Sequence, residues 1–387
     1  MTDSPQASLF SPRERRILLW LCVGAICWRW LLAIRAPLPG VDASLDLWVA
    51  RRLATGDFAA LGAVWWRPWW ALCVAPFVAC GAPAFVAGQV VACVFGGLVI
   101  WPLAAAAERL RQGAGIPCAV VALAAAVPAQ GAAMASALPL ACFGVALAAL
   151  CWVQGRWLRC GLLTALVLGL SREQLLPGSS PPLGGALAAW TGLRGAWSLA
   201  GAFAVLSVLP PRPRRIVGLW IATAMVLAAT LATGTATEAL AQWSPLVACL
   251  AGVGLARWPK RLAELALSGI IVVDFLGAWQ AIESREAVVE RLLGAHLATR
   301  AGTAQGVVCD LPRITFFAGG RPRPLATGDA LLQAASAPEV QFVVLSRTLA
   351  SATTTSALSS RFVRYQVPAH LRDLVADHRL AIFVRRE

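Results

Sequence analysis

Residues 13–35 read RERRILLWLCVGAICWRWLLAIR, and the apolar run at 17–34 approaches the roughly 20 residues a helix needs to cross a hydrocarbon core about 30 Å thick. Arg13, Arg15 and Arg16 precede it as they would a secretory signal. Trp28, Arg29 and Trp30 interrupt its end and no small-residue cleavage site follows, so it reads as a retained first helix. Similar runs recur at 84–107, 138–153 and 216–231. The buried helix of a soluble core rarely reaches such a length and seldom repeats, so the runs predict a bundle of membrane helices.

Composition agrees, with 59% of the 387 residues apolar and 13% charged. The expected fold class is an α-helical polytopic membrane protein of about nine to eleven membrane segments with a small C-terminal α/β soluble domain. The expected organisation is a cytoplasmic N-terminus at 1–14 and a multi-helix transmembrane domain at 15–282 with an external loop at 36–68. An external α/β domain follows at 283–387.

A formal net charge of +14 would suggest nucleic acid in a soluble protein. Here the arginines gather in short loops at 13–16, 108–111, 156–159, 210–215 and 257–261, the pattern of cytoplasmic loops, and no nucleic-acid partner is expected. If 69–107 make one net crossing, the loop at 36–68, the turn near Gln130, the segments at 171–182 and 233–238 and the C-terminal domain all fall outside. The expected location is the plasma (inner) membrane. Ten of the eleven cysteines sit in apolar runs without metal-type spacing and read as packing residues, leaving Cys309 with no obvious partner. Tryptophans gather at segment ends, as at Trp65, Trp66, Trp69 and Trp70, where an amphipathic ring suits the headgroup region.

After residue 283 a charged helix at 284–298 precedes strand-like runs at 307–309, 340–345, 362–367 and 380–384. No phosphate-binding glycine loop accompanies them. The most informative stretch is the first loop, GVDASLDLWVARRLATGDF at 40–58, followed by WWRPWW at 65–70. Leu45, Trp48, Val49 and Leu53 fall at helical spacing with Asp46, Arg51 and Arg52 between them, which predicts an amphipathic helix along the membrane surface. Asp42 at its start suits an N-cap, a role compatible with proton transfer.

The order of an aspartate, a surface helix ending Ala50-Arg51-x-Leu53, Gly56 and a Trp/Pro-rich second helix at Pro68 resembles the first external loop of GT-C glycosyltransferases. That superfamily includes the protein O-mannosyltransferases and the lipid A aminoarabinose transferase. GLLTALVLGLSREQLLPG at 161–178, with Ser171, Arg172 and Glu173, is similar to the family's Gly-rich helix ending in a basic and an acidic residue. CDLPRITFFAGGRPRPL at 309–325 is similar to a segment with an arginine, two aromatics and a glycine. Three departures stand beside these matches. Ala43 follows the aspartate where Glu is usual, a second external carboxylate is missing near 133–139, and Arg67 and Pro68 replace a His-Pro-Pro sequence.

The resemblance implies transfer of a sugar from a polyprenyl-phosphate carrier, at a membrane-lipid surface, to an acceptor that the sequence does not identify, with inversion. It implies Asp42 as catalytic base and Arg172 and Arg67 as ligands of the donor phosphate, since guanidinium donates bidentate pairs to phosphate oxygens. Arg67 suits an interfacial anchor among tryptophans better than a phosphate ligand, Glu173 suits a simple ion pair with Arg172 equally well, and Asp46 is a supporting carboxylate one turn beyond Asp42. No cofactor is implied; a hard cation would want several oxygen ligands, and all three histidines lie after residue 283. A catalytically inactive relative and a small-molecule or lipid transporter stay open as other readings, although a transporter commonly shows related halves.

Overall fold

The computed structural model describes residues 9–36, 39, 41–64, 68–125, 129, 132–170, 244–280, 285–301, 306–322, 325, 327–346, 349–377 and 380–386. The chain divides into two compact units: Met1–Arg35 with Gln89–Ile282, and Ala36–Gly88 with Glu283–Glu387. The sequence reading treats the loop at 36–68 as an appendage of the membrane domain; the fold groups it with the C-terminal residues.

The first unit is helical. It holds α1 (Pro12–Arg35), most of α4 (Ala84–Leu98), α5 (Ile100–Leu110), α6 (Gly115–Ala124), α7 (Leu138–Val153), α8 (Trp157–Leu170), α9 (Ser244–Leu255) and α10 (Lys260–Gln280). The start of α1 is written in its sequence: Ser11 Oγ accepts from Glu14 N–H at 3.3 Å and Glu14 Oε2 accepts from Ser11 N–H at 2.7 Å. Two helix-start donors are thereby satisfied reciprocally.

Among the described residues, two helical stretches are long and apolar enough to cross a membrane, Pro12–Arg35 and Ala84–Leu110, and shorter apolar helices accompany them. Their outward faces are greasy. Trp20 is 72% exposed and Ile34 68% exposed on α1, and Leu265 is 70% exposed on α10. Such a surface suits lipid and would be costly in water. With the sheet described below, this is the expected fold class. Those of the expected nine to eleven segments that fall in 171–243 lie outside the described residues.

Inside the bundle, alanine is the commonest core residue, accompanied by leucine, valine and cysteine, and some glycines sit where helices touch. A Cβ added to Gly252 on α9 would meet the Cβ of Cys118 on α6 at 2.5 Å, and one added to Gly97 would meet Cγ1 of Ile26 at 2.3 Å. Small residues let the helix backbones approach, which is how helices gain packing energy in lipid. Cys22, Cys93, Cys118, Cys142 and Cys249 are buried there as free thiols; Cys27 and Cys80 are exposed.

Two polar side chains in this interior serve the backbone. Gln89 Nε2 donates to the carbonyls of Ala33 and Ala133, both at 2.9 Å. The buried Arg29 donates to Ala25 O at 3.2 Å and to Ala122 O, near the end of α6, at 3.3 Å. Its side chain crosses over Gly96, where a Cβ would lie 2.7 Å from Arg29 Cδ and Nε. Away from water, carbonyls near helix ends need donors of this kind.

The second unit holds α2 (Val41–Ala54), a 3-10 helix (Phe58–Val64), α3 (Pro68–Ala79) and the C-terminal elements. These last are α11 (Arg285–Ala301), β1 (Val307–Cys309), α12 (Pro312–Phe317), α13 (Gly328–Ala335), β2 (Phe342–Leu345), α14 (Ala352–Ser359), β3 (Phe362–Arg364), α15 (Ala369–Asp377) and β4 (Ala381–Arg385). Strand order is β1-β2-β4-β3; β1 and β2 run parallel and the other pairs antiparallel. Phe342 and Val344 face one core with Leu293, Leu297 and Leu371, while Val343 and Leu345 face another with Leu331, Leu358 and Phe362. Helices therefore cover both faces, which is why the middle strand reads as an unbroken apolar run.

Candidate functional site

The surface helix predicted from the first loop is α2, and it packs on α12 within the second unit. Its polarity differs from the expectation. Val49 and Leu53 of the expected apolar face are buried, but Leu45 and Trp48 are only half-buried, and Ser44, Asp46, Leu47 and Ala50 are buried as well. Neighbours on several sides explain this: α3 and the 3-10 helix contact α2 as well as α12 does.

Two of the three sequence segments singled out above meet at this junction. Arg51 Nη1 donates to Phe316 O at 3.4 Å, and its guanidinium lies 4.2 Å from the centre of the Phe316 ring. Phe316 is fully buried and packs edge-on against Phe317 at 5.2 Å. Arg313, at the other end of α12, forms an ion pair with the buried Glu290 of α11 at 2.9 Å. α11 itself comes close, since a Cβ on Gly294 would lie 2.7 Å from Phe317 Cβ. The arginine and the first aromatic of that segment therefore anchor a one-turn helix from two sides.

The glycines of both segments are helix stops. Gly319 has φ +83°, with its N–H bonded to Phe316 O and that of Gly320 bonded to Thr315 O. Gly56 has φ +86°, with its N–H on Leu53 O and that of Asp57 on Arg52 O. Both follow the left-handed pattern that closes a helix, where a Cβ is penalised. Asp57 then returns to pair with Arg52 at 2.7 Å.

A cavity of about 390 Å³ opens beside this junction, along the edge strand β1. Trp48, Arg51 and Arg52 of α2 line it, facing Val307–Cys309, Gly319, Gly320 and Arg321, with Glu339 and Val340 behind. Arg321 reaches to 5.6 Å from the Trp48 ring centre and Arg52 to 6.0 Å. Burial makes Arg51 less basic than an arginine in water, and its hydrogen-bond and ring partners are both contributed by Phe316. A guanidinium nevertheless stays charged at neutral pH.

The sequence-predicted residues are placed unequally. Asp42 stands in the first turn of α2, inside the helix rather than before it, and Asp46 lies one turn on, at a spacing that shares a helix face. The side chain of Asp42 and the whole of Arg67, Arg172 and Glu173 lie outside the described residues. Asp274, in α10, is buried and its Oδ1 meets no hydrogen-bond partner among the described residues. No cluster of metal-ligating side chains occurs among the described residues. The sequence reading did not single out Trp48 as a cavity wall, or Arg321 at all. The glycine pair preceding Arg321 was the available signal for an exposed basic tip.

No protein-family profile matches the sequence, and no curated protein matches it. In three dimensions the chain is similar to the crystal structure of ArnT from Cupriavidus metallidurans bound to undecaprenyl phosphate. The TM-score is 0.62 at 14% identity, covering 94% of this chain and 97% of the other. The likeness shows that the chain shares that fold.

Proposed function

We propose that this chain is a divergent membrane glycosyltransferase of the GT-C kind. In this reading it moves a sugar from a polyprenyl-phosphate carrier to an acceptor hydroxyl on the external face of the inner membrane, with inversion. The observation that supports it is the fold shared with ArnT over nearly the full length of both chains. The crystal structure of ArnT holds undecaprenyl phosphate. The junction of α2 with α12 agrees, because it joins two segments that resemble the family from opposite ends of the chain.

In the proposed reaction the acceptor oxygen attacks the anomeric carbon from the face opposite the carrier. Its proton passes to the carboxylate of Asp42, and the bond from that carbon to the phosphate oxygen breaks, its electron pair leaving with the lipid phosphate. Arg172 and Arg67 take up the developing charge, while Asp46 and Glu173 hold the local ion balance. The scheme uses no metal. It places the N-terminus in the cytoplasm and the loop at 36–68 and residues 283–387 outside, where the carrier's sugar and the acceptor would meet.

Membranes overexpressing the chain, supplied with radiolabelled polyprenyl-phosphate sugars, should transfer label to an endogenous acceptor. Asp42→Asn should lower turnover by roughly 10² to 10⁴ without altering thermal unfolding, because Asn keeps the size but takes no proton. Unchanged transfer by a folded Asp42→Asn protein would move the base role to Asp46. Failure to transfer from any such donor overturns the reading.

A further inference from the structure

We infer that the basic end of the first unit, where the α5–α6 turn meets the α9–α10 turn, binds the phosphodiester headgroup of an anionic phospholipid. It stands whether or not the chain transfers sugar. Pieces of chain far apart in sequence are brought together there. Gly252, in the last turn of α9, packs so closely on Cys118, in the first turn of α6, that an added Cβ would lie 2.7 Å from Cys118 N. Gly115, which starts α6, lies against Phe10 just ahead of α1, where an added Cβ would be 2.8 Å from the ring. The Lys and Arg residues of 13–16, 109–111 and 257–261 therefore gather at one end of the bundle.

The acidic residues beside them are already engaged. Glu14 accepts from Ser11 N–H at 2.7 Å, and Glu108 accepts from the N–H groups of Gly113 and Gly115 at 2.8 and 2.9 Å. Glu264 lies one turn along α10 from Lys260, with an oxygen 3.9 Å from its ammonium. Arg111 stands at the C-terminus of α5, and Arg257 is half-buried in the α9–α10 turn. Burial makes Arg257 less basic than an arginine in water, and the nearby charge of Arg111 makes it less basic still. Packing thus holds two guanidinium groups where they repel, and a phosphate shared between them turns that repulsion into attraction.

The surroundings point to lipid as the source of the phosphate. Trp258 follows Arg257 and packs in part on the bundle core, a placement suited to the headgroup level. Leu262 and Leu265, next along α10 from Arg261, are 50% and 70% exposed. A ligand with an anionic head and apolar tails meets both surfaces at once, whereas a free phosphate meets only the first.

The purified full chain in dodecyl maltoside micelles is titrated with dioleoylphosphatidylglycerol, and in parallel with dioleoylphosphatidylcholine and inorganic phosphate. The thermal midpoint is followed by tryptophan fluorescence. Phosphatidylglycerol should raise the midpoint to a plateau, and the other two should not. Arg111→Gln and Arg257→Gln should each require roughly tenfold more phosphatidylglycerol for half the rise, the loss expected for a hydrogen bond to a charged group. Without added lipid both variants should melt no lower than the parent, because one of two repelling charges is gone. Arg16→Gln, which removes an exposed charge at the same end on α1, should shift the half-rise by about twofold or less. A shift with Arg16→Gln as large as with Arg257→Gln would mean a diffuse basic surface and overturn the site. So would variants at 111 and 257 that melt lower without lipid yet keep the parent's lipid response. An equal rise with inorganic phosphate would make the ligand a free anion and overturn the lipid assignment, as would no rise with phosphatidylglycerol.

Discussion

Truncating Arg51 tests whether α2 is locked onto the α/β elements by a specific contact. Its guanidinium makes one long hydrogen bond, 3.4 Å, to Phe316 O and sits 4.2 Å from the ring centre of a fully buried phenylalanine. A charged hydrogen bond contributes about 1.5 to 3 kcal/mol, and the length of this one places it at or below the lower figure. A desolvated cation–π contact contributes about 1 to 2 kcal/mol. Arg51→Met keeps much of the aliphatic stem and should therefore cost about 2 to 3 kcal/mol. Phe316→Leu removes the ring and leaves the carbonyl. In a double-mutant cycle the two changes should fall short of additivity by about 1 kcal/mol, the cation–π share alone. Urea-dependent proteolysis of the detergent-solubilised protein, with cleavage mapped to the 41–64 region, reads the opening free energy. Additivity within about 0.3 kcal/mol would show that Arg51 and Phe316 do not sense each other, and the proposed lock would be wrong.

Gly252→Ala would place a methyl 2.5 Å from Cys118 Cβ. Separating α6 and α9 to a normal contact should cost about 1 to 3 kcal/mol, seen as a lower thermal midpoint in detergent, and Cys118→Gly should restore part of it; an unshifted midpoint would refute the close approach. Gln89→Leu deletes two bonds of 2.9 Å to Ala33 O and Ala133 O and should destabilise by about 1 to 2 kcal/mol at the modest strength of bonds in lipid. A variant as stable as the parent would mean those carbonyls find other donors. For Cys309, burial pushes the thiol well above its ordinary pKa, and Sγ accepts from Leu311 N–H at 3.2 Å. At pH 8 peptide mapping should find it unalkylated by iodoacetamide until urea unfolds its domain, and rapid native labelling would contradict its burial.

The helical membrane character and the C-terminal sheet were legible because they rest on local regularities. A run such as 17–27 is apolar around the whole helix, which the solvent alone dictates, and the Ser11-x-x-Glu14 start closes its hydrogen bonds within four residues. The strand at 342–345 fell within its expected window, and that at 381–385 overlaps its window at 380–384 and runs one residue past it, because apolar β-branched runs between turn signals have few other stable uses. The amphipathic reading of α2 was less successful. Periodicity ranks Asp46 as polar and therefore outward, and nothing local announces that partners approach that helix from several sides.

What the sequence determined by itself is the apolar helix at 17–34, the surface helix of the first loop and the strand-like runs of the C-terminal domain, since each follows from apolar pattern and hydrogen bonding within a few residues. Only the tertiary structure decided that Arg51 belongs with Phe316, 265 positions away, and that Trp48 and Arg321 share a cavity. The physical reason is that cation–π contacts and cavity walls arise between surfaces brought together by burial. Their partners leave no periodic trace in the chain, because many other arginines and aromatics would satisfy the same local pattern.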